Sequence, residues 1–168
     1  KYPDTFRVIS KENGGHGSTI NCGIRNAVGK YFKVVDGDDW VNTADFVKLV
    51  EDLEKTESEY VFTNYNEYYD DVNRQKAVDF PQFKDGTEYD FADVANKVYI
   101  PMHALVIKTS VLKDNNIVID EKCFYVDAEY VIFPLPYIQT VSAIPDFVYQ
   151  YRIGMSTQSM SIENMMKR

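Results

Sequence analysis

The alternation of strand and helix patterns in the first third of the chain most limits what it can fold into. Two apolar, β-rich runs each lead into a segment whose apolar residues recur at helical spacing. The patterns predict strands at 6–10 and 31–36, a helix that begins after Ser18 and ends at Gly29, and a helix capped by Asn42. Strand, helix, strand and helix in this order predict a parallel βαβ arrangement in an α/β domain.

The remaining residues predict a mixed extension of that domain. Two strands joined by Asp70 and Asp71 favour an antiparallel excursion. The other predicted elements are helices at 91–98, 109–115 and 126–133 and strands at 60–69, 72–80, 103–108, 141–144 and 147–152. We therefore expect a single domain over residues 1–154, followed by a polar, mobile tail over 155–168.

Composition excludes several classes of protein. With 18 Lys and Arg against 26 Asp and Glu, the 168-residue chain carries a formal charge of −8, which argues against nucleic acid or an anionic membrane surface as partner. No apolar run approaches the roughly 20 residues of a membrane-spanning helix. Cys22 and Cys123 lack metal-ligand spacing, so a reducing compartment is the default expectation.

The most informative local feature is the acidic sequence Asp36-Gly-Asp38-Asp39, which directly follows a predicted strand. Three carboxylates this close repel one another, so a folded protein usually supplies a cation there. Oxygen ligands select hard ions such as Mg²⁺ or Mn²⁺. The spacing fits neither an EF-hand, a Walker loop nor a dinucleotide fingerprint. A solvated acidic turn remains the alternative reading of these residues alone.

An ordered string of motifs accompanies this acidic sequence. It comprises Asn13-Gly14-Gly15, Asn21, Ala27-x-Gly29-x-Tyr31, Asp36-x-Asp38-Asp39-Trp40, Val126-Asp127-Ala-Glu129 and Tyr149-x-Tyr151-Arg152 with Ser156 and Ser159. In this order the chain resembles the family-two glycosyltransferases, nucleotide-sugar enzymes of the GT-A fold. The resemblance implies a three-layer α/β sandwich with a mixed, mainly parallel sheet. It also implies that the first strand and the base-reading acidic residue lie upstream of Lys1.

The resemblance implies a role for each matching residue. Asp36, Asp38 and Asp39 would bind Mg²⁺ or Mn²⁺, and Asp127 would be the catalytic base, with Glu129 as its substitute or support. The residues implied in nucleotide-sugar binding are Asn13, Gly14, Gly15, Asn21, Asp36 and Trp40. Two positions depart from the family pattern, because Ile20 stands where the family has arginine and Val126 where it has glutamate.

The implied reaction is metal-dependent, inverting transfer of a sugar from a nucleoside-diphosphate donor to an acceptor hydroxyl. A UDP-sugar is the expected donor and a carbohydrate or lipid-linked molecule the expected acceptor, in bacterial surface polysaccharide or glycoconjugate synthesis. We expect a cytoplasmic location, at the inner face of the membrane if missing regions or partners bring it there. The alternatives are a truncated or degenerate domain that binds carbohydrate or a partner without turnover, and a nucleotidyltransferase. For His16, in the glycine-rich loop, the favoured interpretation is a helix cap.

Overall fold

A computed structural model describes residues 5–154 of the chain. The helices are α1 (Gly15–Asn26), α2 (Thr43–Lys55), α3 (Phe91–Val94), α4 (Thr109–Asp114) and α5 (Val126–Ile132). The strands are β1 (Tyr31–Phe32), β2 (Trp40–Val41), β3 (Tyr60–Tyr69), β4 (Arg74–Val78), β5 (Glu88–Asp90), β6 (Leu105–Lys108) and β7 (Thr140–Ile153). Short 3₁₀ turns occupy Met102–Ala104 and Leu135–Tyr137. Among the residues described, no helix is long and apolar enough to cross a membrane.

The strands form one mixed sheet in the order β1-β6-β3-β7-β2, with β4 on β3 and β5 on β7. Its centre is the parallel pair of β3 and β7, and the other five pairings within residues 5–154 are antiparallel. β1, β3 and β7 all point the same way, because β6 is antiparallel to both β1 and β3. The mixed α/β sheet is confirmed, but it is less parallel than predicted because β6 inserts between β1 and β3.

Two hydrophobic clusters show that the sheet is the middle of three layers. Val61 and Val106 pair in register and face α2, where they pack with the buried Leu49. Their strand neighbours, such as Phe62 and Leu105, point to the opposite face. That face is covered by α1, α4 and α5 and forms the larger cluster. The three-layer sandwich is therefore confirmed.

Several local predictions are confirmed at the level of individual residues. The Asn42 side chain accepts a hydrogen bond from the Asp45 amide at 3.1 Å and begins α2. β3 spans residues 60–69 as predicted and turns at Asp70 and Asp71 into the antiparallel β4. The strands predicted at 141–144 and 147–152 are instead one long strand, β7. Its pairing with β3 shifts register near Asn64 of β3.

Three predictions for the N-terminal part are wrong. Residues 6–10 form no strand, because no neighbouring strand within the described residues pairs with them, and Val8 is 92% exposed. α1 begins at Gly15 rather than after Ser18, whose hydroxyl donates to the Gly15 carbonyl at 2.8 Å. β1 pairs with β6 only through Tyr31 and Phe32, so it ends four residues before the predicted end of the strand at residue 36. The predicted tail at 155–168 lies outside the described residues.

Candidate active site

The acidic sequence at residues 36–39, here called the acidic turn, connects β1 to β2. The Asp39 amide donates to the Asp36 carbonyl at 3.2 Å, which closes a four-residue turn. β2 follows at once and pairs antiparallel with β7 through Trp40 and Gln150. The turn therefore lies beside the C-terminal half of β7, and it follows β1 after a gap of three residues rather than directly.

Asp39 is held by β7 through both of its carboxylate oxygens. The Tyr149 hydroxyl donates to Oδ2 at 2.5 Å, and the Arg152 amide donates to Oδ1 at 2.8 Å. Burial raises the pKa of Asp39 to about 6, although these hydrogen bonds act in the opposite direction. Each oxygen of Asp39 therefore already accepts a hydrogen bond from β7, and its role as a third metal ligand stays a prediction.

Tyr149 also contacts the first residue of the turn. Its hydroxyl oxygen accepts a hydrogen bond from the Asp36 amide at 3.1 Å. The tyrosine is fully buried, and burial raises its pKa, as does its hydrogen bond to Asp39. The Lys33 amine lies 5.2 Å from the centre of the ring. Burial lowers the pKa of this lysine to about 7.

His16 faces the acidic turn rather than capping its own helix. Its Nε2 atom lies 3.1 Å from Oδ1 of Asp36, with both side chains about one-third exposed. The pKa of His16 is raised, first by this hydrogen bond and further by the charges of Asp36, Asp127 and Asp38, while burial opposes the shift. The cap interpretation is therefore wrong, and the motif spacing alone gave no signal for a contact between residues 16 and 36.

Asp127 lies in the first turn of α5 and is exposed. Its charge acts on His16, and it acts on Tyr151 together with the charges of the acidic turn, so it shares their surroundings. Glu129 has a different contact, because its Oε2 atom accepts the Asp120 amide at 2.8 Å. The structure thus brings Asp127 to the region of the acidic turn, whereas it gives Glu129 a role in fixing the loop before α5.

The glycine loop contacts that same loop. The Asn13 side chain accepts the Gly15 amide at 3.0 Å, and Gly15 adopts the left-handed φ of 83° that favours glycine. The Gly14 carbonyl accepts the Lys122 amide at 2.9 Å. At Gly17, an added Cβ would lie 1.9 Å from the Asp120 carbonyl oxygen. The glycines therefore allow the N-terminus of α1 to pack against residues 120–122.

The side chain of Asn21 is buried and binds the backbone of Ile119 in both directions. Its Nδ2 donates to the Ile119 carbonyl at 2.8 Å, and its Oδ1 accepts the Ile119 amide at 2.9 Å. A longer contact of 3.3 Å joins Nδ2 to Glu121. Both atoms of the Asn21 side-chain amide thus join α1 to Ile119, and the implied role of this residue in donor binding stays a prediction.

Trp40 stands at the surface beside the acidic turn. Its ring centre lies 4.9 Å from that of Tyr68, and the guanidinium of Arg152 lies 5.1 Å from it. Arg152 also pairs with Asp70 at 3.3 Å. The residue is 37% exposed, so part of its surface is available for contact with a ligand.

Within residues 5–154, one trio of His, Cys, Asp or Glu side chains has ligand atoms all within 4.8 Å of one another. It consists of Asp120, Cys123 and Glu129, and the acidic turn contains no such trio. Since the Glu129 carboxylate already accepts the Asp120 amide, this trio is explained by the loop it stabilises.

The sheet between two helical layers is the architecture of the GT-A fold, as comparison with solved structures shows. The structure of S. aureus TarS 1–349 in complex with UDP-GlcNAc is similar over 88% of this chain and 41% of that chain, with a TM-score of 0.67 at 19% identity. The same protein in complex with UDP gives a TM-score of 0.65, over 87% of this chain and 42% of that one. The family model for glycosyl transferase family 2 matches residues 1–115, and the chain belongs to this family.

Curated relatives agree with that assignment over shorter segments. An uncharacterized glycosyltransferase EpsJ of Bacillus subtilis is 45% identical over 56 residues, 33% of this chain and 16% of that protein. A putative glycosyltransferase EpsH of the same organism is 30% identical over 82 residues, 49% of this chain and 24% of that protein. The chain therefore spans a quarter or less of the length of these relatives.

Proposed function

We propose that this chain carries the metal and acceptor side of an active site for inverting sugar transfer from a nucleoside diphosphate to a hydroxyl group. The observation that carries the proposal is the meeting of elements distant in sequence. Asp36 contacts His16 of α1, and the charges of Asp38 and Asp127 act on the same histidine. A donor cleft with acidic ligands on one side and a carboxylate base on the other needs this arrangement.

Asp36 and Asp38 are the residues that would hold Mg²⁺ or Mn²⁺. Their carboxylates are hard oxygen donors, and they lie in a turn whose two ends are fixed by β7. The ion, when bound, would stabilise negative charge that develops on the departing diphosphate. His16 contacts Asp36 from α1 and so helps to orient that carboxylate.

Asp127 is the proposed general base. In the displacement, the acceptor oxygen forms a bond to the anomeric carbon while the bond from that carbon to the diphosphate oxygen breaks. The acceptor proton passes to the Asp127 carboxylate, and the diphosphate leaves with the electron pair of the broken bond. One displacement from the opposite face of the sugar inverts the anomeric centre.

A UDP-sugar is the proposed donor class. The similar TarS structures hold UDP-GlcNAc and UDP, and the matched region of this chain includes its acidic turn. The exposed part of Trp40, next to the turn, offers an apolar face for a sugar ring. For the acceptor we propose a growing surface carbohydrate or a lipid-linked sugar.

The decisive experiment separates binding from turnover in the full-length protein. Asp127→Asn should leave calorimetric binding of UDP with Mn²⁺ unchanged, because the residue contacts the acceptor side. The same variant should lower the release of UDP from UDP-GlcNAc by roughly 10²- to 10⁴-fold, the usual contribution of a positioned base. Asp93→Asn is the matched control, since Asp93 is another aspartate in the first turn of a helix, α3, and should behave as wild type.

Two results would contradict the proposal. UDP release at the wild-type rate from Asp127→Asn would show that the base assignment is wrong. UDP binding that does not respond to Mn²⁺ or to chelation, together with absent turnover, would favour the alternative of a binding domain without catalysis.

A further inference from the structure

We infer that Tyr149 is a positioning residue for the metal site, and that Asp39 fastens the acidic turn to β7 instead of binding the cation. The inference rests on the proposed function and deepens it. It reduces the protein's cation ligands in the turn to Asp36 and Asp38, and it adds a residue 110 positions away from Asp39.

The hydroxyl of Tyr149 joins the two ends of the turn. It accepts the Asp36 amide at 3.1 Å and donates to the Asp39 carboxylate at 2.5 Å. The Asp39 amide in turn donates to the Asp36 carbonyl at 3.2 Å. These three hydrogen bonds form a closed ring, so the backbone on both sides of Asp38 is held at fixed points.

The second oxygen of Asp39 strengthens the fastening. It accepts the Arg152 amide at 2.8 Å, so the carboxylate bridges two positions of β7. A carboxylate engaged in this way would lose hydrogen bonds if it rotated toward an ion. The half-buried position of Asp39 adds to this cost, because unpaired polar groups there would be removed from water.

Tyr149 is itself immobile, as a positioning residue must be. Its backbone lies in the sheet between Val41 of β2 and Tyr65 of β3, and its side chain is fully buried. The ring of His103 lies 5.5 Å away on centroids, and the Lys33 amine lies 5.2 Å from the ring centre. The hydroxyl therefore has one direction available, toward the turn.

The test is a double-mutant cycle on Mn²⁺ affinity in the full-length protein, measured by the electron paramagnetic resonance of free Mn²⁺ with UDP present. Tyr149→Phe and Asp39→Asn should each weaken Mn²⁺ binding by roughly 10-fold, as changes to groups that orient ligands do. The double variant should lose less affinity than the two single losses combined, because the hydrogen bond between Tyr149 and Asp39 is common to both changes. Asp38→Asn should lose detectable binding, and Tyr137→Phe, which removes an exposed tyrosine hydroxyl, is the control.

A second measurement keeps structural damage apart from positioning. In protein without metal, exchange of the Asp36 amide proton should speed up in Tyr149→Phe while the urea unfolding midpoint changes little. If Tyr149→Phe fails to fold, Asp39→Asn, which retains the bond from Arg152, carries the comparison of Mn²⁺ affinities in its place.

Each result has one meaning. If Asp39→Asn loses Mn²⁺ as completely as Asp38→Asn, Asp39 is a ligand and the inference is overturned. If Tyr149→Phe binds Mn²⁺ as wild type does, Tyr149 does not position the site and the inference is again overturned. If the wild-type protein binds no Mn²⁺ with UDP, the proposed function itself fails, which is a separate and distinguishable outcome.

Discussion

Replacement of Asn21 tests whether a residue of the family motif holds the framework or the donor. In Asn21→Ala, the amide and the carbonyl of Ile119 both lose their partner, at 2.9 and 2.8 Å respectively. Ile119 is fully buried and Asn21 is 4% exposed, so water cannot easily replace the lost bonds. A buried polar group left unsatisfied costs about 1–3 kcal/mol, and two such groups give about 2–6 kcal/mol.

The stability that Asn21→Ala is expected to lose is a large part of the 5–15 kcal/mol free energy of unfolding of a typical domain. Urea unfolding followed by the fluorescence of Trp40, the one tryptophan of the chain, would measure it. Asn26→Ala is the matched control, since that asparagine of α1 donates to the Cys22 carbonyl of the same helix at 2.9 Å. We expect the control to lose less than about 1 kcal/mol, as one partly exposed hydrogen bond is removed.

Asn21→Asp sharpens the test through pH. The introduced carboxylate would keep the acceptor for the Ile119 amide but would face the Ile119 carbonyl and the Glu121 carboxylate, which now accept from Nδ2. Its folded-state pKa would be raised, so the penalty should be largest at neutral pH and shrink as pH falls and the carboxyl regains a donor. An unfolding free energy within about 0.5 kcal/mol of wild type for Asn21→Ala, coupled with lost UDP binding, would refute the structural assignment.

Two further predictions follow from close contacts and from burial. Gly17→Ala should lower the free energy of unfolding in urea titrations by about 1–3 kcal/mol or more, because the added Cβ would lie 1.9 Å from the Asp120 carbonyl oxygen. Gly29→Ala is the control and should be nearly neutral, because its Cβ would lie 3.6 Å from its nearest neighbour. Equal effects of the two substitutions would contradict this packing. Burial lowers the pKa of His103 to about 4, so the unfolded chain takes up the proton first as pH falls. The contribution of neutral His103 to the free energy of unfolding is complete above pH 6.5 and should fall by about 3 kcal/mol toward pH 4. His103→Phe should remove this dependence of the unfolding free energy on pH.

Local patterns were sufficient wherever a feature depends on neighbours in sequence. The Asn42 cap, the β3–β4 hairpin and the position of the acidic turn after an apolar run all needed information from a few consecutive residues. The segment at 6–10 shows the limit of this reasoning. A segment of β-rich composition forms a strand only when another strand pairs with it, and the sequence of the segment alone does not determine that pairing.

The candidate site was predicted in part for the same reason. Asp127 lies in the first turn of a helix as the pattern predicted, and Asp38 lies in a turn, but the residues that contact the acidic turn come from far along the chain. The contact of His16 with Asp36 spans 20 positions, and the contact of Tyr149 with Asp39 spans 110. No periodicity or capping rule relates positions so distant, so the supports emerge only from the folded arrangement.

These supports also show how acidic groups from two different elements are brought to one region of the molecule. β7 fixes the acidic turn, whereas α1 is fixed to the loop before α5 through Gly17 and Asn21. His16 extends from the first turn of α1 to Asp36 and so connects the two halves. A change at the contact between α1 and that loop would therefore move Asp127 relative to the turn without touching either. Its effect on sugar transfer should exceed its effect on donor affinity, because alignment of the base matters only when the bond to the anomeric carbon forms.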